Sequence, residues 1–182
     1  VARYELSAGG TLIFVAGPPT NVGNVAGLQL AFVNLAGGRD QIPLPPTDHP
    51  DARLSPDGRQ LAYTRNDQVW LYDLDLGTHL QLTTTGTGHH NPIWSPDGKR
   101  IAYRSLRSEG QGGDVYVQAV SGDSAGVHVG GTPGGDNPAQ WLADGTILTY
   151  SDAVRADVPA LAADQPGKVT PILRADWNER HP

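Results

Sequence analysis

The sequence predicts an all-β protein, a β-propeller built of four four-stranded blades, on three observations. A turn motif, Ser55-Pro56-Asp57-Gly58, recurs as Ser95-Pro96-Asp97-Gly98 and degenerates to Leu142-Ala143-Asp144-Gly145 and Ser7-Ala8-Gly9-Gly10, at intervals of 48, 40 and 47 residues. A second marker, a polar residue before proline, keeps the same phase at His49-Pro50, Asn91-Pro92, Asn137-Pro138 and His181-Pro182. Between the markers apolar residues alternate, and no segment holds a helical apolar period for long, so helix is expected to be nearly absent. Self-similar units of this length, each with four short strands, are the mark of blades stacked around an axis.

Taken in order, the blades fall at about 1–49, 50–91, 92–137 and 138–182. In the first, the turn is lost and a long Gly/Pro-rich loop is inserted at 17–27. The second is the clearest, with strands expected at 52–55, 60–65, 68–73 and 79–83. Pro56 presets φ at the first central turn position, Asp57 bonds its own backbone and Gly58 accepts the left-handed conformation that follows. Leu61 and Tyr63 face one way and Ala62 the other, a pattern repeated by Ile101, Ala102 and Tyr103. Val69, Leu71, Val115 and Val117 continue it on third strands, with Trp70 and Tyr116 on the opposite face. Such strands are apolar on both faces, as stacked sheets require. Trp94 and Trp141 share one repeat position with Leu54 and Leu6, which marks that position as packing between blades.

Composition narrows the function classes. The 182 residues include 13 basic and 19 acidic side chains, a net charge of −6, which argues against a general nucleic-acid or anionic-membrane binder. With no cysteine, disulfides, thiol catalysis and Cys-ligated zinc are excluded. No apolar run approaches the roughly 18–20 residues of a membrane span. There is no Gly-x-Ser-x-Gly elbow, no phosphate-cradling Gly-x-x-x-x-Gly-Lys-Ser/Thr and no His-Glu-x-x-His.

The run from Asn91 through Pro92, Ile93, Trp94 and Ser95-Pro96-Asp97-Gly98 to Ile101-Ala102-Tyr103, followed by Gly113-Asp114-Val115-Tyr116-Val117, resembles the WD40-like PD40 repeat. That repeat is found in TolB, in tricorn protease and in relatives of the dipeptidyl peptidase IV propeller. The resemblance is strong over 50–130, partial over 131–182 and weak over 1–49. It implies a ring of six or more blades. The chain stops where a fifth turn is due, so it reads first as a piece of a larger ring, completed by further blades or by self-association with another copy, and second as four blades closing alone. Fold does not carry function with it, because propellers host many activities.

The candidate site is one mouth of the central channel. The residues before the repeat prolines, His49, Asn91, Asn137 and His181, open the innermost strands, and Asp48, His90, Asp136 and Arg180 lie beside them. A channel mouth is a place to receive a peptide, a loop or a small ligand; the plainer reading is that these side chains cap loop–strand junctions before proline. Their spacing matches no dedicated metal set, and neither metal nor cofactor is expected. Asp73-Leu74-Asp75-Leu76-Gly77 lacks the later ligands of a calcium loop and reads as a turn. Asp114 and Asp67 read as structural, bonding neighbouring loop backbone.

The functional expectation is a protein with no enzymatic activity, similar in kind to TolB: a scaffold for a protein or peptide partner, periplasmic or extracellular. It uses the channel mouth and the loop at 17–27, without nucleic acid or membrane insertion. The alternative is the substrate-gating propeller of a larger serine peptidase, prolyl-oligopeptidase-like or tricorn-like.

Overall fold

The computed structural model describes residues 4–6, 12–16, 29–33, 38–44, 51–106, 112–132, 134–151 and 158–173. They form four four-stranded antiparallel sheets, each a simple meander with its strands in chain order. The first holds β1 (Tyr4–Leu6), β2 (Leu12–Ala16), β3 (Gln29–Val33) and β4 (Arg39–Gln41); the second β5 (Ala52–Leu54), β6 (Gln60–Arg65), β7 (Gln68–Asp73) and β8 (His79–Gln81). The third holds β9 (His90–Trp94), β10 (Arg100–Ser105), β11 (Asp114–Ala119) and β12 (Val127–Gly130); the fourth β13 (Asp136–Trp141), β14 (Thr146–Ser151), β15 (Val158–Ala162) and β16 (Val169–Leu173). No helix occurs among the described residues, and none there is long and apolar enough to cross a membrane.

The turns form where the sequence places them. Ser55 Oγ donates to Asp57 Oδ1 at 2.6 Å and accepts the Gln60 N–H at 2.9 Å, while Asp57 Oδ1 accepts the Arg59 N–H. Ser95 and Asp97 repeat the arrangement at 2.6 and 2.9 Å. In the degenerate fourth-blade turn only the carboxylate half survives, Asp144 Oδ1 accepting the Thr146 N–H. Asn66 and Asp67 both take positive φ, 50° and 57°, the paired left-handed geometry that matches the twist of a two-residue hairpin. At 73–77 Asp73 Oδ1 accepts the N–H groups of Asp75 and Leu76, a turn closed by a carboxylate. Two boundaries differ from expectation: β5 ends at Leu54, one residue early, and β8 ends at Gln81, two residues early. Thr83 Oγ1 accepts the Val69 N–H at 2.8 Å, so a side chain takes over the ladder position and the backbone peels away.

Alternation turns each sheet into a two-faced layer, and the core is therefore three slabs, one per junction. Leu30, Ile42 and Leu44 of the first blade meet Leu54, Leu61, Tyr63 and Tyr72 of the second. Ala62, Val69 and Leu71, on the other face of the second blade, meet Trp94, Ile101, Tyr103 and Tyr116 of the third. Ile93, Ala102, Val115 and Val117 then meet Trp141, Ile147 and Leu161 of the fourth. Each buried Val, Leu or Ile among them contributes about 1.5–3 kcal/mol by leaving water. The innermost strands β1, β5, β9 and β13 abut in succession. Among the described residues the fourth blade does not close onto the first: they form a partial propeller and not a closed four-bladed ring. Its last sheet leaves Leu148 and Tyr150 half-buried and Ile172 52% exposed.

Candidate functional site

The described residues among those expected at the mouth sit where β9 and β13 begin. As the first strand of a meander each is a sheet edge, which is where proline is tolerated because no ladder N–H is required. Pro92 and Pro138 sit there, and both strands carry an irregularity beside them. The register of β9 on β10 shifts between Ala102 and Arg104, and that of β13 on β14 between Pro138 and Gln140. Asn91 absorbs the first shift with φ of 53°, a conformation Asn adopts more readily than most residues. Bulges re-aim side chains, and this one brings Asn91 Nδ2 to 2.6 Å from Asn137 Oδ1, a donated hydrogen bond from the third blade to the fourth.

Of the eight residues expected at the mouth, four are described. Asn91 is half-buried, whereas Asn137 is only 3% exposed and serves as its acceptor. His90 Nε2 lies 3.3 Å from Asp67 Oδ1 across the second junction. Asp136 is fully buried and does not line the opening: its carboxyl accepts the Thr132 N–H and meets Thr149 Oγ1 at 3.2 Å. Burial pushes this carboxyl above the usual range, and the nearby Asp114 charge adds to the rise. Thr149 has one hydroxyl proton for two acceptors, Asp136 and the Pro159 carbonyl at 3.3 Å. Thr149 Oγ1 thus faces both acceptors, and its bond to Asp136, like that of the Thr132 N–H, favours the charged carboxylate against the larger effect of burial. His49, Asp48, Arg180 and His181 lie outside the described residues, as does the loop at 17–27.

Asp114 and Asp67 hold imidazoles. Asp114 Oδ2 lies 2.9 Å from His128 Nε2, as Asp67 does from His90 at the longer distance above. Among the described residues no group of three His, Asp or Glu side chains comes together as a metal site.

Two features of this region were missed. Gly112-Gly113 and Gly134-Gly135 press backbone on backbone. A Cβ on Gly112 would fall 2.6 Å from the Gly135 backbone, and the Asp136 N–H donates to the Gly113 carbonyl at 2.8 Å. The signal was present, since Gly-Gly-Asp occurs both before β11 and before β13. The second is Arg104 on β10, which packs against Gly113 and whose Nε is buried without a partner.

Residues 38–112 match the family profile of the dipeptidyl peptidase IV (DPP IV) N-terminal region. Over 106 residues the chain is 33% identical to a putative tricorn-like protease N-terminal subunit of Sulfurisphaera tokodaii, covering 57% of this chain and 51% of that protein. It is 33% identical to tricorn protease homolog 1 of Streptomyces coelicolor (53% of this chain, 9% of the relative) and 30% identical to dipeptidyl-peptidase 5 of Porphyromonas endodontalis (44% and 14%). The chain thus spans about half the length of the first relative and a small part of the others. Among solved structures, TolB from Acinetobacter baumannii superposes with a TM-score of 0.74 at 16% identity, over 98% of this chain and 44% of TolB. A prolyl endopeptidase superposes at 0.65 and 14% identity, over 95% and 29%.

These likenesses support a propeller of the type shared by TolB and the peptidases. They correct the expectation of no enzymatic role: the relatives are named as tricorn proteases and a dipeptidyl peptidase, so the chain is related to peptidases.

Proposed function

We propose that this chain is the substrate-gating propeller portion of a larger serine peptidase, prolyl-oligopeptidase-like or tricorn-like, built of PD40-type blades. The observation that carries the reading is that sequence similarity, as distinct from fold similarity, runs to peptidases over about half of the chain. The likeness to TolB, at 16% identity, concerns fold alone, so a TolB-like protein-binding scaffold ranks second. In this reading an unfolded peptide reaches the arc at the mouth formed by β9 and β13. There the half-buried amide of Asn91, held by Asn137, matches a peptide main chain, with His90 next to it in the strand. The net charge of −6 favours neutral or basic peptides over acidic ones, an effect on encounter rate more than on affinity. No cofactor is required.

The test is antibody capture of the native protein carrying this chain, followed by a fluorophosphonate probe for activated serine. A labelled serine in the same polypeptide or in a stoichiometric subunit supports the reading. Capture without any label overturns it.

A further inference from the structure

Three Asp-Gly pairs occur in the chain, Asp57-Gly58, Asp97-Gly98 and Asp144-Gly145, each in the turn between the first two strands of a blade. All three aspartates are exposed. An aspartyl carboxyl can close on the backbone nitrogen that follows it, and glycine leaves that nitrogen unshielded because it has no Cβ. In the second and third blades the carboxylate is anchored twice. Asp57 Oδ1 accepts from Ser55 Oγ at 2.6 Å and from the Arg59 N–H at 3.1 Å; Asp97 Oδ1 accepts from Ser95 Oγ at 2.6 Å and from the Lys99 N–H at 3.1 Å. The glycine N–H groups are held by the Ser55 and Ser95 carbonyls at 2.8 and 2.9 Å. Pro56 and Pro96 fix φ one position earlier. The two turns also touch: a Cβ on Gly98 would lie 3.7 Å from the Pro56 ring.

The fourth blade loses each of these restraints. Leu142 stands where the serine stands in the other two, so among the described residues Asp144 Oδ1 keeps the Thr146 N–H alone, at 2.9 Å. Ala143 replaces the proline and leaves φ free. The Gly145 N–H reaches the Leu142 carbonyl at 3.1 Å, the longest of the three turn bonds. Among the described residues no atom beyond the chain neighbours lies within 4 Å of where a Gly145 Cβ would stand. The carboxyl of Asp144 is thus the freest to swing over the next nitrogen, and a planar five-membered ring has room to form there.

We propose that Asp144-Gly145 is a self-modification site, the one of the three Asp-Gly turns that converts to isoaspartate in the folded protein. The Gly145 nitrogen attacks Asp144 Cγ and gives up its proton; the new C–N bond forms as a carboxyl oxygen leaves as water, and a succinimide results. Water then reopens the ring. Entry at the main-chain carbonyl leaves the chain running through Cβ and Cγ, with the former main-chain carboxyl free. Net charge is unchanged, but the turn is not. Asp144 no longer presents Oδ1 to the Thr146 N–H, and the Leu142 N–H bond to the Thr146 carbonyl, 2.8 Å, is put out of register where it closes the β13–β14 hairpin. The freed carboxylate is the group that a protein-isoaspartate methyltransferase esterifies with the methyl of S-adenosylmethionine, so an enzyme of that class is the partner this site takes.

The experiment takes the whole protein that carries this chain, incubates it for several weeks at neutral pH, digests it, and labels the peptides with protein-isoaspartate methyltransferase and tritiated S-adenosylmethionine. The peptide holding Asp144 is expected to take up about tenfold more label than those holding Asp57 or Asp97, the factor that one hydrogen bond to a charged group supports. The same incubation in urea should bring the three to similar levels, since the turns then no longer differ. Leu142→Ser combined with Ala143→Pro restores the motif and should lower the label at Asp144 to that at Asp97, while Ser95→Ala should raise the label at Asp97. Thermal melts of the variants, unchanged, show that the fold is intact; the comparison of the three peptides in the unaltered protein needs no variant. Equal label at the three sites in the folded protein, more label at Asp57 or Asp97, or no label at any of them overturns the proposal. So does label at Asp144 that survives the restored motif in a variant with an unchanged melt. None of these outcomes bears on the peptidase reading, which depends on the serine label.

Discussion

The junction between the second and third blades and that between the third and fourth use the same strands in the same order, yet they are fastened differently. At the first, side chains reach across. Trp94 Nε1 donates to the Arg53 carbonyl at 2.9 Å, and Gln118 Nε2 donates to the Leu82 carbonyl at 2.9 Å and to Ser124 at 2.8 Å. At the second, Trp141 occupies the same repeat position but its Nε1 is buried with no acceptor, and Arg100 lies over its ring instead. There one side-chain bond crosses, from Asn91 to Asn137, and backbone also touches backbone: Asp136 N–H on Gly113, Gly167 N–H on Val129, and the glycine doublets between. The lesson is that a repeat fixes where the apolar slab lies, while each junction finds its own polar fastening.

The contrast breaks most visibly through the glycines. Gly112→Ala places a Cβ against the Gly135 backbone, which cannot yield, at a φ of 136° that alanine resists. We expect a loss of about 3 kcal/mol, read from urea denaturation midpoints. Gly88→Ala at the other junction also has positive φ, but its neighbour is the half-exposed Leu106 side chain, which can swing aside. The expected cost there is about 1 kcal/mol. A Gly88 variant as damaging as the Gly112 variant would show that both junctions depend on backbone approach.

Gln118→Ala comes next. It leaves the carbonyls of Leu82 and Ser124 and the Tyr103 hydroxyl without their partner, for about 2 kcal/mol. Trp94→Phe and Trp141→Phe sharpen the comparison at one repeat position. The first removes a made hydrogen bond and should cost about 1 kcal/mol beyond the lost ring area; the second removes an unpaired donor and should cost less by about that amount. Equal losses in chemical denaturation would erase the distinction.

The smallest effects follow pH, and their signs differ between regions. Asp136 is raised above its ordinary 3.8 by burial, so the native chain holds that proton more tightly than the unfolded one. Stability from this group falls as pH climbs from 3.8 through the raised value. Asp136→Asn should flatten that slope. Asp57 and Asp97 work the other way, held low first by the Ser55 and Ser95 hydroxyls and then by backbone N–H groups. Their contribution is present above 3.8 and lost as pH falls through the lowered values. Ser55→Ala and Ser95→Ala should shrink it; both slopes are read from denaturation series between roughly pH 2 and 7.

Much of the fold was legible because its determinants are local. The Ser-Pro-Asp-Gly turns, the Asn66-Asp67 hairpin and the alternation of Leu61, Ala62 and Tyr63 depend on neighbours within a few residues, and the sequence carries them without reference to the rest of the chain. Trp94 and Trp141 were legible as core because they recur with the period. The candidate site was legible only in outline. Periodicity placed Asn91 and Asn137 at equivalent strand starts, but not that a register shift in β9 turns one side chain toward the other. Nor does strand position say that Asp136, polar and next to a loop, is enclosed by the neighbouring blade.

By itself, then, the sequence determined four in-phase sheets, their turns and the faces that stack, since period-2 side-chain direction and turn chemistry are properties of short segments. Only the tertiary structure decided how neighbouring blades are fastened, which carboxyl burial shifts upward, and that Arg104 Nε, beside Gly113, finds no acceptor among the described residues. Those outcomes depend on distances between residues that are remote in the chain, and on the water that packing removes from between them.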